Sequence, residues 1–125
     1  MASKNSSERM KSARARAFDK RREPRIPIQL KVDIESPNDH YLFEYSSNLS
    51  QSGIFIHTGD PLEPGTLVNI QFALPESALI RTRGEVIWVN DEEEGEEPGM
   101  GIKFIGLADP DRENILNALK KLAIL

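Results

Sequence analysis

Two short stretches carry side chains suited to recognising a small polyanion. The run KRREPR, Lys20 to Arg25, sets Arg21 and Arg25 four residues apart. Each guanidinium is a planar fork that matches phosphate oxygens, or the O6 and N7 edge of guanine, in a bidentate fashion. Arg22, next to Arg21, offers a further phosphate contact, and Pro24 stiffens the approach of Arg25. About two dozen residues later, NLSQSG brings Asn48, Ser50 and Gly53. On a strand, residues two apart leave the same face, so Asn48 and Ser50 would stand side by side as hydrogen-bonding groups. Gly53 would accept a positive φ or let a flat ligand come close to the backbone without a Cβ in the way. Together these groups suit a guanine nucleotide carrying phosphates.

The elements that must position them follow from periodicity. From Pro27 onward Ile28, Leu30, Val32 and Ile34 alternate with polar residues, the pattern of a half-buried strand, and Pro-Asn-Asp at 37 to 39 then turns the chain. A second strand is predicted over His40 to Leu49 and a short third over Ile54 to Ile56. Val68, Ile70, Phe72 and Leu74 mark a fourth strand, closed by Pro75. The fifth runs from Leu79 to Asn90, with Gly84 as a bulge or point of close approach, and Met100, Ile102 and Phe104 mark the sixth. Six short antiparallel candidates argue for a barrel or sandwich. The period changes at the end: Asp109 reads as an N-cap, Pro110 as the first helical residue, and Ile115, Leu116, Leu119, Leu122 and Ala123 as one apolar helical face. That helix should pack across the barrel or its open end.

Composition narrows the functional classes. The chain of 125 residues has the length of one domain, and with no cysteine it has neither a disulfide framework nor a thiolate nucleophile. No apolar stretch approaches the roughly 20 residues of a membrane span and the N-terminus has no apolar leader core, so a soluble cytoplasmic protein without membrane insertion is expected. The net charge of −4 conceals an asymmetry: residues 1–25 carry nine Lys or Arg against three acids, the rest seven against seventeen. A basic arm therefore precedes an acidic body. The body would repel a phosphodiester backbone and offers few aromatics as a stacking platform, which argues against nucleic-acid binding.

The arginine pair at the entry to a six-stranded antiparallel barrel, the NLSQSG motif at the end of the second strand and the amphipathic helix after the barrel together resemble the PilZ domain family, over about residues 20–125. EPGTLVNIQFALP and PGMGIKF also resemble barrel segments of that family. The resemblance implies a mainly β fold, a PilZ-type barrel with a C-terminal helix, preceded by a mobile basic arm over residues 1–19. It implies binding of the bacterial second messenger cyclic di-GMP by Arg21, Arg25, Asn48, Ser50 and Gly53, with Arg22 in a secondary role. Ser52 departs from the pattern, standing where many relatives have a second glycine. The expectation is a non-enzymatic receptor, without metal or cofactor, whose arm orders over the ligand and presents a new surface to an unidentified partner protein in motility, attachment or development. A monomer is expected rather than a dimer. The rival reading is an interaction module that binds no nucleotide.

Other conspicuous residues have plainer readings. Trp88 is expected in the barrel core or rim, and His40 and His57 in a surface or loop role, with no metal-ligand spacing. The acids from Asp91 to Glu97 read as a solvated hairpin tip, able to attract the basic arm.

Overall fold

The computed structural model describes residues 23–37, 41–90 and 97–124. The 1–19 arm, Arg21, Arg22, the turn after Pro37 and the acids 91–96 lie outside the described residues. Among the described residues seven strands and one helix follow in order: β1 Ile26–Pro27, β2 Lys31–Glu35, β3 Tyr41–Leu49, β4 Gly53–His57, β5 Leu67–Ala73, β6 Leu79–Asn90, β7 Gly99–Ile105 and α1 Asp109–Ile124. Pairing runs β3-β2-β5-β6-β7-β4 and returns to β3, all antiparallel, so β2 to β7 form a closed six-stranded barrel. β1 adds two residues of pairing against the end of β3. Closure leaves the barrel no open sheet edge of its own.

The alternation seen in the sequence is the inside of this barrel. Val32, Ile34, Ile54, Ile56, Ile70, Phe72, Ile80, Val86, Met100 and Ile102 are all buried and share one hydrophobic core. Ile115, Ala118 and Leu119 of α1 join it, so the helix packs its apolar face onto the barrel and also touches β1. The first helical bond runs from Arg112 N to Ala108 O, 2.9 Å. Ala108 therefore takes the N-cap station expected of Asp109, and Asp109 joins Asp111 in the first turn, where both complement the helix dipole. No helix among the described residues is long and apolar enough to cross a membrane.

The strand expected from Ile28 to Glu35 is interrupted. The buried Ser46 hydroxyl accepts a hydrogen bond from Leu30 N at 2.9 Å and donates one to Ile28 O at 2.7 Å, so a side chain stands in the ladder between β1 and β2. Gly84 is not the bulge of β6. A Cβ there would lie 2.5 Å from Ile102 Cγ2, which makes it a point of close packing inside the barrel. The bulge falls between Val86 and Trp88, where the register to β7 shifts. The extra residue turns Ile87 and Trp88 both outward, 48% and 43% exposed. Trp88 thus lies on the outer wall, not in the core, with its ring stacked on Phe55 at 5.1 Å and laid over Gly101, whose missing side chain makes room for the indole.

That seat depends on Gly101 having no side chain. Gly101→Val should unseat the indole, lower stability by about 1–3 kcal/mol through overpacking and loss of the ring stack, and shift the emission of the single Trp to longer wavelength. Thermal denaturation and fluorescence of the variant check both effects.

Candidate functional site

The position of Asn48 is decided by a second irregularity. Along β3 the odd residues Tyr41, Phe43 and Tyr45 face outward and are exposed, so a regular strand would point Asn48 into the core. Between Ser46 and Asn48 the register to β4 shifts by one residue, and Asn48 emerges opposite Phe55 while Leu49 takes the interior place opposite Ile54. A bulge re-aims a side chain at the cost of one unpaired residue. Asn48 thereby joins an outer row, Asn48, Phe55, Gly101 and Trp88, set by successive strand pairings. The β6 bulge delivers the far end of the same row.

Arg25, just before β1, is brought to this row because Pro27 pairs with Asn48. Its Nε donates to Asn48 Oδ1 at 2.7 Å and its Nη1 to Ser50 Oγ at 3.3 Å. Three of the expected residues therefore meet in one place, while Arg21 and Arg22 lie outside the described residues. Ser50 is fully buried although it is polar. Its hydroxyl donates to Gly53 O at 3.3 Å and accepts from Ser52 N at 3.4 Å, and its own N–H donates to Gly53 O at 2.9 Å. The hydroxyl thus closes the Ser50–Gly53 turn from inside and offers Arg25 an acceptor at the turn's surface.

Gly53 does not have the positive φ that is one of its two expected reasons, and the barrel gives it a packing requirement of its own. Its φ is not in the left-handed region, where among the described glycines only Gly65 and Gly106 fall. A Cβ on Gly53 would sit 2.6 Å from the carbonyl oxygen of Ile102 on β7, so the glycine is required by the approach of the neighbouring strand.

Residues without a motif complete the surroundings. Ser52, at the position that departs from the family pattern, donates to Glu23 Oε1 at 2.6 Å and ties the segment before Arg25 to the turn. Beside Asn48, the Ser47 hydroxyl donates to Glu97 Oε1 at 3.0 Å, and Glu97 Oε2 lies 3.0 Å from His57 Nδ1. One carboxylate from the end of the acidic stretch is therefore anchored next to the row. Neither Glu23 nor Glu97 had any signal in spacing, because both contacts span 29 or more residues. Among the described residues no cluster of three or more His, Cys, Asp or Glu is placed to hold a metal ion.

The family model of the PilZ domain matches residues 19–121 of the chain. The chain belongs to the PilZ family. No curated protein matches its sequence. Among solved structures, the PilZ fold here is similar to the inhibitor of motility MotI/DgrA of Bacillus subtilis, at 21% identity and a TM-score of 0.72 over 82% of this chain and 50% of that one. It is similar also to the PilZ domain of YcgR from Escherichia coli with c-di-GMP, at 13% identity and a TM-score of 0.65 over 82% of this chain and 91% of that one. A third is the K. pneumonia MrkH–c-di-GMP complex, at 21% identity and a TM-score of 0.67 over 82% and 51%. The chain thus spans about half the length of MotI and MrkH and nearly all of the isolated YcgR domain.

Within this PilZ domain the two motif positions that are most buried, Ser50 and Gly53, carry structural loads that can be measured without any ligand. Gly53→Ala should force β4 and β7 apart and lower stability by about 1–3 kcal/mol. Ser50→Ala should cost about 1–3 kcal/mol by stranding the turn's polar groups, while Asn48→Ala, on the surface, should leave stability within about 0.5 kcal/mol. Urea unfolding of the three variants checks this order.

Proposed function

We propose that this PilZ domain is a non-enzymatic receptor for cyclic di-GMP. The observation that carries the reading is the convergence of Arg25, Asn48 and Ser50 at one outward-facing point of the barrel wall. A guanidinium held at 2.7 Å by a neutral amide is already aimed and exchanges that partner readily for a phosphate oxygen or a guanine edge, because a charge-assisted bond is the stronger one. Arg21 and Arg22, four and three residues upstream, supply further cations to the same ligand. Asn48 and the Ser50–Gly53 turn hold guanine and the ligand backbone.

Binding neutralises the arginines with two phosphates and fixes the segment that leads into β1. Since β1 touches α1, ordering at Arg25 is passed to the helix and to the surface that a partner protein reads. Two of the structurally similar proteins, MotI and MrkH, are described as an inhibitor of motility and a c-di-GMP-dependent transcription regulatory factor. A regulatory output in motility, attachment or development fits this chain on the same reasoning.

Isothermal titration with cyclic di-GMP, and with GTP as control, tests the proposal. The expected outcome is saturable binding of cyclic di-GMP alone, weakened at least tenfold in Arg25→Ala, a loss of about 1.5–3 kcal/mol, abolished in Arg21→Ala/Arg25→Ala, and declining as salt is raised. Absence of heat from the folded native protein well above micromolar concentration would reject it and leave a barrel that works by protein contacts.

A further inference from the structure

On the stretch of barrel wall centred on β5, the register sorts outward side chains into columns. Asp33 and Glu35 of β2 lie beside Gln71 and Asn69 of β5, and these lie beside Arg81 and Arg83 of β6. Acid, amide and base therefore follow one another across three strands, in two parallel rows, with the charged columns about 10 Å apart at the usual strand spacing. Tyr41 and Phe43, 59% and 65% exposed, pair with Glu35 and Asp33 and stand as a wall along the acid column. Together these six charged and aromatic side chains border a groove of about 560 Å³. Tyr41 OH donates to Glu35 Oε2 at 3.2 Å and Arg81 Nε to Gln71 Oε1 at 2.9 Å, whereas neither Asp33 nor Arg83 has a side-chain partner among the described residues.

We propose that this face binds a second copy of the chain. A two-fold axis parallel to β5 and lying over Asn69 and Gln71 exchanges the two flanking columns while keeping each row at its own height. Arg83 of the second copy then comes over Glu35 and its Arg81 over Asp33, and the same two pairs form in the other direction. Each incoming guanidinium enters a slot with a carboxylate beneath it and a ring beside it, the geometry of a charge-assisted bond joined to a cation–π contact. The face is its own complement, as an isologous interface requires. The charges set the register and exclude other pairings, and the exposed rings supply the apolar contact. The groove meets β3 only at its start, at Tyr41 and Phe43, whereas Asn48 lies at the other end of that strand, beyond Tyr45, so the dimer leaves the Arg25–Asn48 site open. The sequence reading expects a monomer because the columns exist only once the strand register is known.

Sedimentation of the full chain between 1 and about 200 µM, with far-ultraviolet circular dichroism to establish folding, tests this arrangement. The native chain should form a concentration-dependent dimer. Arg81→Asp/Arg83→Asp and Asp33→Arg/Glu35→Arg should each be monomeric, since each faces like charge with like, and their equimolar mixture should recover a heterodimer. If a charge reversal fails to fold, Arg81→Gln/Arg83→Gln should still weaken the native dimer at least tenfold. A native chain that stays monomeric throughout, or a dimer that persists in the folded variants, overturns the proposal, as does a mixture of folded variants that remains monomeric. A monomer would assign the face to the chain's own basic segment or to a different protein.

Discussion

A one-residue slip in β3 decides what the barrel shows to solvent. Tyr41 to Tyr45 follow simple alternation, and if it continued, Asn48 would enter the core and Leu49 would be wasted on water. The register shift between Ser46 and Asn48 exchanges them, so that the interior stays apolar and an amide appears on the wall. The shift in β6 between Val86 and Trp88 has the same consequence at the other end of the row. Bulges also sharpen local twist and bend the strand, which a closed barrel of only six strands needs in any case. Closure and recognition draw on the same two irregularities.

The site is continuous with the rest of the fold through the segment that Ser46 divides. One hydroxyl occupies the gap between β1 and β2. β1 is held by two pairs on β3, by that hydroxyl and by contact with α1, a light attachment compared with the long ladders of β5, β6 and β7. Arg25 sits directly before it. The element nearest the recognition point is thus the one with the fewest backbone bonds to break, and regions of that kind open and reorder most readily.

Alternation made most of this legible in advance. The runs around Val32, Ile54, Ile70 and Ile102 identify the inward faces, and the change of period at Asp109 identifies the helix within one residue of its start. Arg25, Asn48 and Ser50 could be grouped from their types and from the resemblance to PilZ domains, and the fold brings them within hydrogen-bonding distance. The bulges were hidden because a strand sequence does not announce an inserted residue: Ser47 and Ile87 are ordinary strand residues, and Gly84, which carries the expected signal, is there for packing. Trp88 was misplaced for the same reason, since one extra residue exchanges inside for outside. Glu23 and Glu97 could not be found at all, because their contacts are made by the fold and not by spacing.

The glycine of NLSQSG carries information of a different kind from its neighbours. It answers to the Ile102 carbonyl of the neighbouring strand, whereas Arg25 and Asn48 meet each other outside the hydrophobic core. Selection on the two groups is therefore separable. A descendant freed from any need for a nucleotide would drift at the arginine and the amide while its glycine stayed fixed. Survival of that glycine in a distant relative testifies to an intact barrel, and what the relative senses must be read from the other positions.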